Sequence, residues 1–81
     1  MGRDRIGPAS GVAEEIDRYL YDHPGASDNL IGVVTWWLNR DANQETMDVV
    51  EAALLELVAM GVVERRALPD GGAIYRRSGR H

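Results

Sequence analysis

The chain has 81 residues, with nine arginines and no lysine, thirteen acidic residues, no cysteine and a net charge of −4. That length holds one domain burying roughly 60 to 65% of its unfolded surface, and without cysteine neither disulfides nor thiolate zinc sites can staple it. No stretch is apolar and long enough to span a bilayer and no basic-then-apolar signal segment opens the chain, so a cytoplasmic setting with no membrane association is expected.

The charge is unevenly spread. Residues 1–22 carry three Arg and five acids, net −2; residues 23–64 carry Arg40 against seven acids, net −6. Residues 65–81 carry five Arg against Asp70 alone, net +4. An acidic body with a basic C-terminal part has the wrong overall sign for a surface that attracts phosphate everywhere.

Residues 1–9 (MGRDRIGPA) are polar with Gly and Pro, and read as a flexible leader before a domain at 10–78 and a tail at 79–81. Ser10 is the expected N-cap of a first helix, with Glu14 and Glu15 toward its positive end and Val12, Ile16, Tyr19 and Leu20 on one stripe. Pro24 stops this helix near Asp22. Ser27 is the expected N-cap of the second helix, which is apolar around most of its circumference: Leu30, Ile31, Val33, Val34, Trp36, Trp37 and Leu38. Gly32 lowers its helicity by roughly 1 kcal/mol relative to Ala, which points to a close helix crossing. Adjacent tryptophans diverge by about 100° on a helix, so one of Trp36 and Trp37 is expected at the edge or on the surface.

A polar turn from Asn39 to Asn43 follows, in which Asp41 or Asn43 caps the third helix. From Gln44 to Met60 its core stripe is Met47, Val50, Leu54, Leu57 and Val58, backed by Ala53, and Gly61 fits the left-handed position that ends helices. Val62 to Leu68 and Ala73 to Ser78 read as two strands joined at Pro69-Asp70-Gly71-Gly72. A type I turn with Gly71 in a bulge pairs Leu68 with Gly72, Arg66 with Ile74, Arg65 with Tyr75 and Glu64 with Arg76. Val63, Ala67, Ala73 and Tyr75 then share one face, with Val63 and Tyr75 leaning on the helices. Glu64, Arg66, Ile74 and Arg76 share the other.

The run Val50-x3-Leu54-x2-Leu57-x3-Gly61-Val62-Val63-x-Arg65, with Tyr75 in the second strand, resembles the winged helix-turn-helix superfamily of small bacterial regulators over residues 10–78. The resemblance implies an α+β, mainly α fold: three helices and a C-terminal two-stranded β-hairpin wing. Because that superfamily includes DNA readers and protein-binding modules, fold alone does not settle function. In its DNA readers the third helix enters the major groove. The matching exposed positions here are Gln44, Glu45, Asp48, Val49, Glu51, Ala52 and Leu55, where only Gln44 has reader chemistry and three carboxylates would face phosphate.

Two candidate surfaces follow. Trp36, Trp37, Asp48, Val49, Ala52 and Leu55 are apolar groups and acids expected to contact a protein partner or a second copy, as a homodimer. Gln44, Arg65, Arg66, Arg76 and Arg77 are the alternative, a DNA-binding regulator working mainly through its wing and tail. The plain counter-reading of those arginines is a charged edge that keeps the hairpin from pairing with other chains.

Catalysis is not expected. His23 sits in a turn beside Pro24, the other histidine is the last residue, and neither a metal set nor an acid–base pair can be assembled. Gly71-Gly72 has no helix after it to cradle phosphate, and no cofactor or small-molecule substrate is implied.

Overall fold

A computed structural model describes residues 8–79 of the chain. The elements are α1 (Pro8–Asp22), β1 (Ser27–Asp28), α2 (Leu30–Gly32) continuing as a π-helix (Val33–Trp37), α3 (Gln44–Ala59), β2 (Val63–Ala67) and β3 (Ala73–Arg77). Three helices thus accompany an antiparallel three-stranded sheet of order β1-β3-β2. Of the expected leader and tail, residues 1–7 and 80–81 lie outside the described residues. Pro8 and Ala9 instead begin α1, so Ser10 lies inside the helix and is not its cap. Proline suits a first helical turn, where its missing N–H leaves no bond unmade.

The apolar stripe of α1 is where the spacing puts it. Val12, Ile16 and Leu20 are buried and Tyr19 is half-buried against the same core. His23 N–H donates to Tyr19 O at 2.8 Å as the helix ends, and the His23 Nδ1–H donates to the same oxygen at 3.1 Å. Its ring also stacks on Tyr19, centroids 4.3 Å apart.

Ser27 is not a helix cap. Ser27 and Asp28 form β1, a third strand absent from the expected two-stranded hairpin, pairing Ser27 with Arg76 and Asp28 with Tyr75. Asn29 takes the capping role: its backbone is extended and its side-chain oxygen accepts from Gly32 N–H at 2.8 Å. The nearest approach to Gly32 comes from β1 and not from a crossing helix: a Cβ there would overlap the Asp28 carboxylate, which would have to move. Beyond Gly32 the turn widens, with Leu38 N–H bonded to Val33 O at 3.0 Å, five residues back. Asn39 then takes a left-handed φ of 55°, and Arg40 N–H bonds to Val34 O at 2.9 Å.

Asn43 caps α3, its Oδ1 accepting from Thr46 N–H at 2.8 Å. Val50, Ala53, Leu54 and Leu57 are buried, while Met47 and Val58 pack half-buried beside them. Gly61, at φ 79°, ends the helix. Its N–H donates to Val58 O at 3.0 Å and Val62 N–H to Leu57 O at 2.9 Å, the double-bonded form of the glycine stop.

The hairpin has the expected register, Val63 opposite Arg77 through Ala67 opposite Ala73. Its turn is closed by Leu68 N–H to Gly72 O (2.8 Å), with Gly71 at φ 94°. Val63, Ala73 and Tyr75 are buried against the helices; Ala67, opposite Ala73 on the same face, is exposed because it lies on the edge strand β2 and Ala73 on the central strand. α1 and α3 form the broadest helix contact, and α3 also packs on β2. Among the described residues no helix is long and apolar enough to cross a membrane.

Candidate functional site

Two surfaces carry the side chains singled out above. On α3 the residues away from the core are Gln44, Glu45, Asp48, Glu51, Ala52, Leu55, Glu56 and Ala59, all exposed. This follows from the helical period: with Val50, Leu54 and Leu57 inward, Asp48, Ala52 and Leu55 must point out. Leu55 is 48% exposed. Gln44 Nε2 donates to Asp48 Oδ1 at 2.8 Å, so the one side chain with base-reading chemistry is turned onto a neighbouring carboxylate one helical turn on. Val49 departs from expectation. It is half-buried and packed against the core, so it is mostly covered from a partner.

The tryptophans divide sharply. Trp36 is 72% exposed and Trp37 only 8%. Trp37 stacks on Tyr19, centroids 5.3 Å apart and planes 10° apart, which makes a three-ring column with His23. Trp37 is therefore a core residue and drops out of the expected interface set. Sequence reasoning missed Tyr21, Ile31 and Met60, large apolar residues that stand exposed. Tyr21 was legible as the aromatic directly after the last stripe position, Leu20, and so turned off the buried face.

The second surface is the hairpin. Arg65, Arg66 and Arg76 are exposed and Arg77 is half-buried. Strand alternation places Arg65 and Arg77 on the helix-side face and Arg66 and Arg76 on the outer face. Arg76 Nε donates to Glu64 Oε1 at 3.0 Å, a partly exposed ion pair across the two strands. Val63, Glu64, Arg65 and Arg66, with Val58 and Gly61 at the end of α3, line an open groove beside β2.

Arg40, the single arginine between residues 23 and 64, does not join either surface. It reaches back from the turn before α3 to Glu15 of α1, Nη2 to Oε1 at 2.5 Å. Among the described residues no group of three or more His, Asp or Glu is gathered as a metal site. His23 is held by Tyr19 through its hydrogen bond and ring stacking. Comparison with protein-family models, curated proteins and solved structures gives no match to the chain.

Proposed function

We propose that the chain is a winged helix-turn-helix domain without enzymatic activity, working as a binding module that docks on another protein through the solvent face of α3 and Trp36. The element order, a helix pair leading to α3 and then a hairpin flanked by β1, supports the winged-helix assignment. One observation carries the functional reading: the outward face of α3 presents Leu55, Ala52 and carboxylates, and its lone amide is bonded to Asp48. Carboxylates repel a phosphate backbone, whereas apolar groups rimmed by acids suit a protein surface with basic groups around an apolar centre. Trp36 adds a large, nearly bare indole of the type that anchors protein contacts.

The test is capture of binding proteins by the intact chain beside Leu55→Glu and Trp36→Ala, with circular dichroism to show that both variants stay folded. Partners retained equally by all three would remove the α3 face from the reading. A second reading has its own observation, the exposure of Arg65, Arg66 and Arg76 on the hairpin. If DNA is the ligand, amide shifts on adding a mixed duplex cluster on those residues and affinity falls steeply between two salt concentrations. No shifts at low salt would exclude it.

A further inference from the structure

Strand β2 is the outermost strand on its side: among the described residues it pairs with β3 and with nothing beyond. Leu68 N–H bonds to Gly72 O and Ser78 N–H to Val62 O, 2.8 and 2.9 Å, which fixes the phase of the ladder. Bonded and non-bonded pairs alternate in an antiparallel sheet, so Glu64 and Arg66 exchange bonds with β3 while Val63, Arg65 and Ala67 aim their N–H and C=O groups outward. Such a row is a template for another strand.

We propose that this edge pairs antiparallel with the β2 edge of a second copy of the chain, Arg65 opposite Arg65, joining two three-stranded sheets across a two-fold axis. The reason lies in the order Val63-Glu64-Arg65-Arg66-Ala67. Centred on Arg65, the pairing sets Glu64 of each chain opposite Arg66 of the other, and Val63 opposite Ala67. The Glu64–Arg66 positions are the closely spaced, non-bonded pairs, where side chains approach most nearly and opposite charges stabilise a sheet. Only outward-facing residues can exchange the new bonds, so registers change in steps of two residues. One step either way brings Glu64 against Glu64 or Arg66 against Arg66.

A charged edge commonly keeps strands apart, but one built only for that would repel in every register. This edge attracts in one register and repels in its two neighbours. Arg65 opposite Arg65 is the opposing cost, and it falls on a widely spaced bonded pair, with Cα atoms about 5.5 Å apart, where long side chains can splay. The Glu64 carboxylate, already accepting from Arg76, would then lie between one arginine of its own sheet and one of the second copy. An isologous contact of this kind closes on itself and forms dimers, not filaments.

This surface is separate from the α3 face, and sedimentation over a concentration series tests it alone. The intact chain should form a reversible dimer. Glu64→Arg and Arg66→Glu should each weaken self-association about ten-fold or more, because each turns both attractive pairs into repulsive ones. An equimolar mixture of the two variants should regain the dimer, since both cross-strand pairs of the mixed dimer again join one arginine to one carboxylate. Arg65→Pro removes an outward N–H without deleting a β2–β3 bond and should also weaken it, whereas Leu55→Glu and Trp36→Ala should leave it unchanged. A monomer at every concentration would overturn the proposal, as would a dimer indifferent to both charge reversals or a mixture that stays monomeric.

Discussion

The Asp28 carboxylate lies over Gly32, in the space a Cβ would fill, while its Oδ1 accepts from Asn29 N–H at 2.9 Å. Asn29 in turn accepts from Gly32 N–H at 2.8 Å, so the last residue of β1 and the first turn of α2 lock into one unit. Gly32→Ala would gain about 1 kcal/mol in helix propensity. Displacing the carboxylate costs more, because it gives up its bond from Asn29 N–H, about 1.5 to 3 kcal/mol for a charged acceptor. Urea denaturation should therefore show a net loss of about 1 kcal/mol. In an Asp28→Ala background the obstacle is gone and the same substitution should be neutral or stabilising. An equal loss in both backgrounds would refute the steric account.

The two ends of α3 are held by single residues whose roles separate cleanly. Asn43→Ala removes the bond to Thr46 N–H and should lower stability by about 1 kcal/mol, while Asn43→Asp keeps an acceptor there and should lower it by much less. Gly61→Ala must hold a Cβ at φ 79°, a cost of about 1 to 2 kcal/mol although the space around Gly61 is open. Denaturation midpoints at constant slope measure both; a harmless Gly61→Ala would mean the left-handed stop is not needed.

These two residues also mark what sequence reasoning can reach. Asn43, Gly61 and the Pro69–Gly72 turn act within a few residues of themselves, so cap, stop and hairpin register are all legible from local chemistry. Ser27 is not, because its neighbours suit a cap equally well and only pairing with Arg76, far downstream, makes it a strand. Gly32 was recognisable as a close approach, but the approaching group, Asp28, depends on that same strand. Trp36 and Trp37 could be told apart only in three dimensions, where Tyr19 supplies a ring for one and nothing comparable covers the other. For the candidate surfaces, period alone places Leu55 and the wing arginines outside; the bonds that occupy Gln44 and Arg76 arise from side-chain geometry.

Gly11 lies in the first half of α1 with nothing near the position of an added Cβ. A methyl group there meets no neighbour, and the unfolded chain loses freedom. Gly11→Ala should stabilise the domain by about 0.4 to 1 kcal/mol, seen as a raised urea midpoint. A destabilised variant would show that the groove between Gly11, Val12, Thr46 and Val49 is narrower than it stands here.

Arg40 and Glu15 tie the turn before α3 to α1 at 2.5 Å, but both side chains are about two-fifths exposed. Solvent screening leaves such a pair about 0.2 to 1 kcal/mol. Arg40→Ala should cost no more than that, and the difference from the intact chain should shrink in high salt. A loss that is larger and independent of salt would assign Arg40 a packing role through its aliphatic stem.

The neighbouring tryptophans should respond oppositely to truncation. Trp37→Ala opens a hole beside Tyr19 and removes a buried indole, a change that costs about 3 to 5 kcal/mol in protein cores. In a domain of this size, where total stability is about 5 kcal/mol, that leaves about 0 to 2 kcal/mol, so up to about half of the molecules would be unfolded at room temperature. Trp36→Ala removes a side chain that is 72% in solvent and should shift stability by about 0.5 kcal/mol or less. Acrylamide quenching gives an independent reading, weak for the Trp37 left by Trp36→Ala and strong for the Trp36 left by Trp37→Phe, which keeps an aromatic ring beside Tyr19 and so the fold. The same pair serves the functional proposal, because an anchor at Trp36 predicts that a bound protein shields it from quencher while the fold's stability scarcely depends on it. Trp36 quenched equally with and without the captured partner would remove it from the interface.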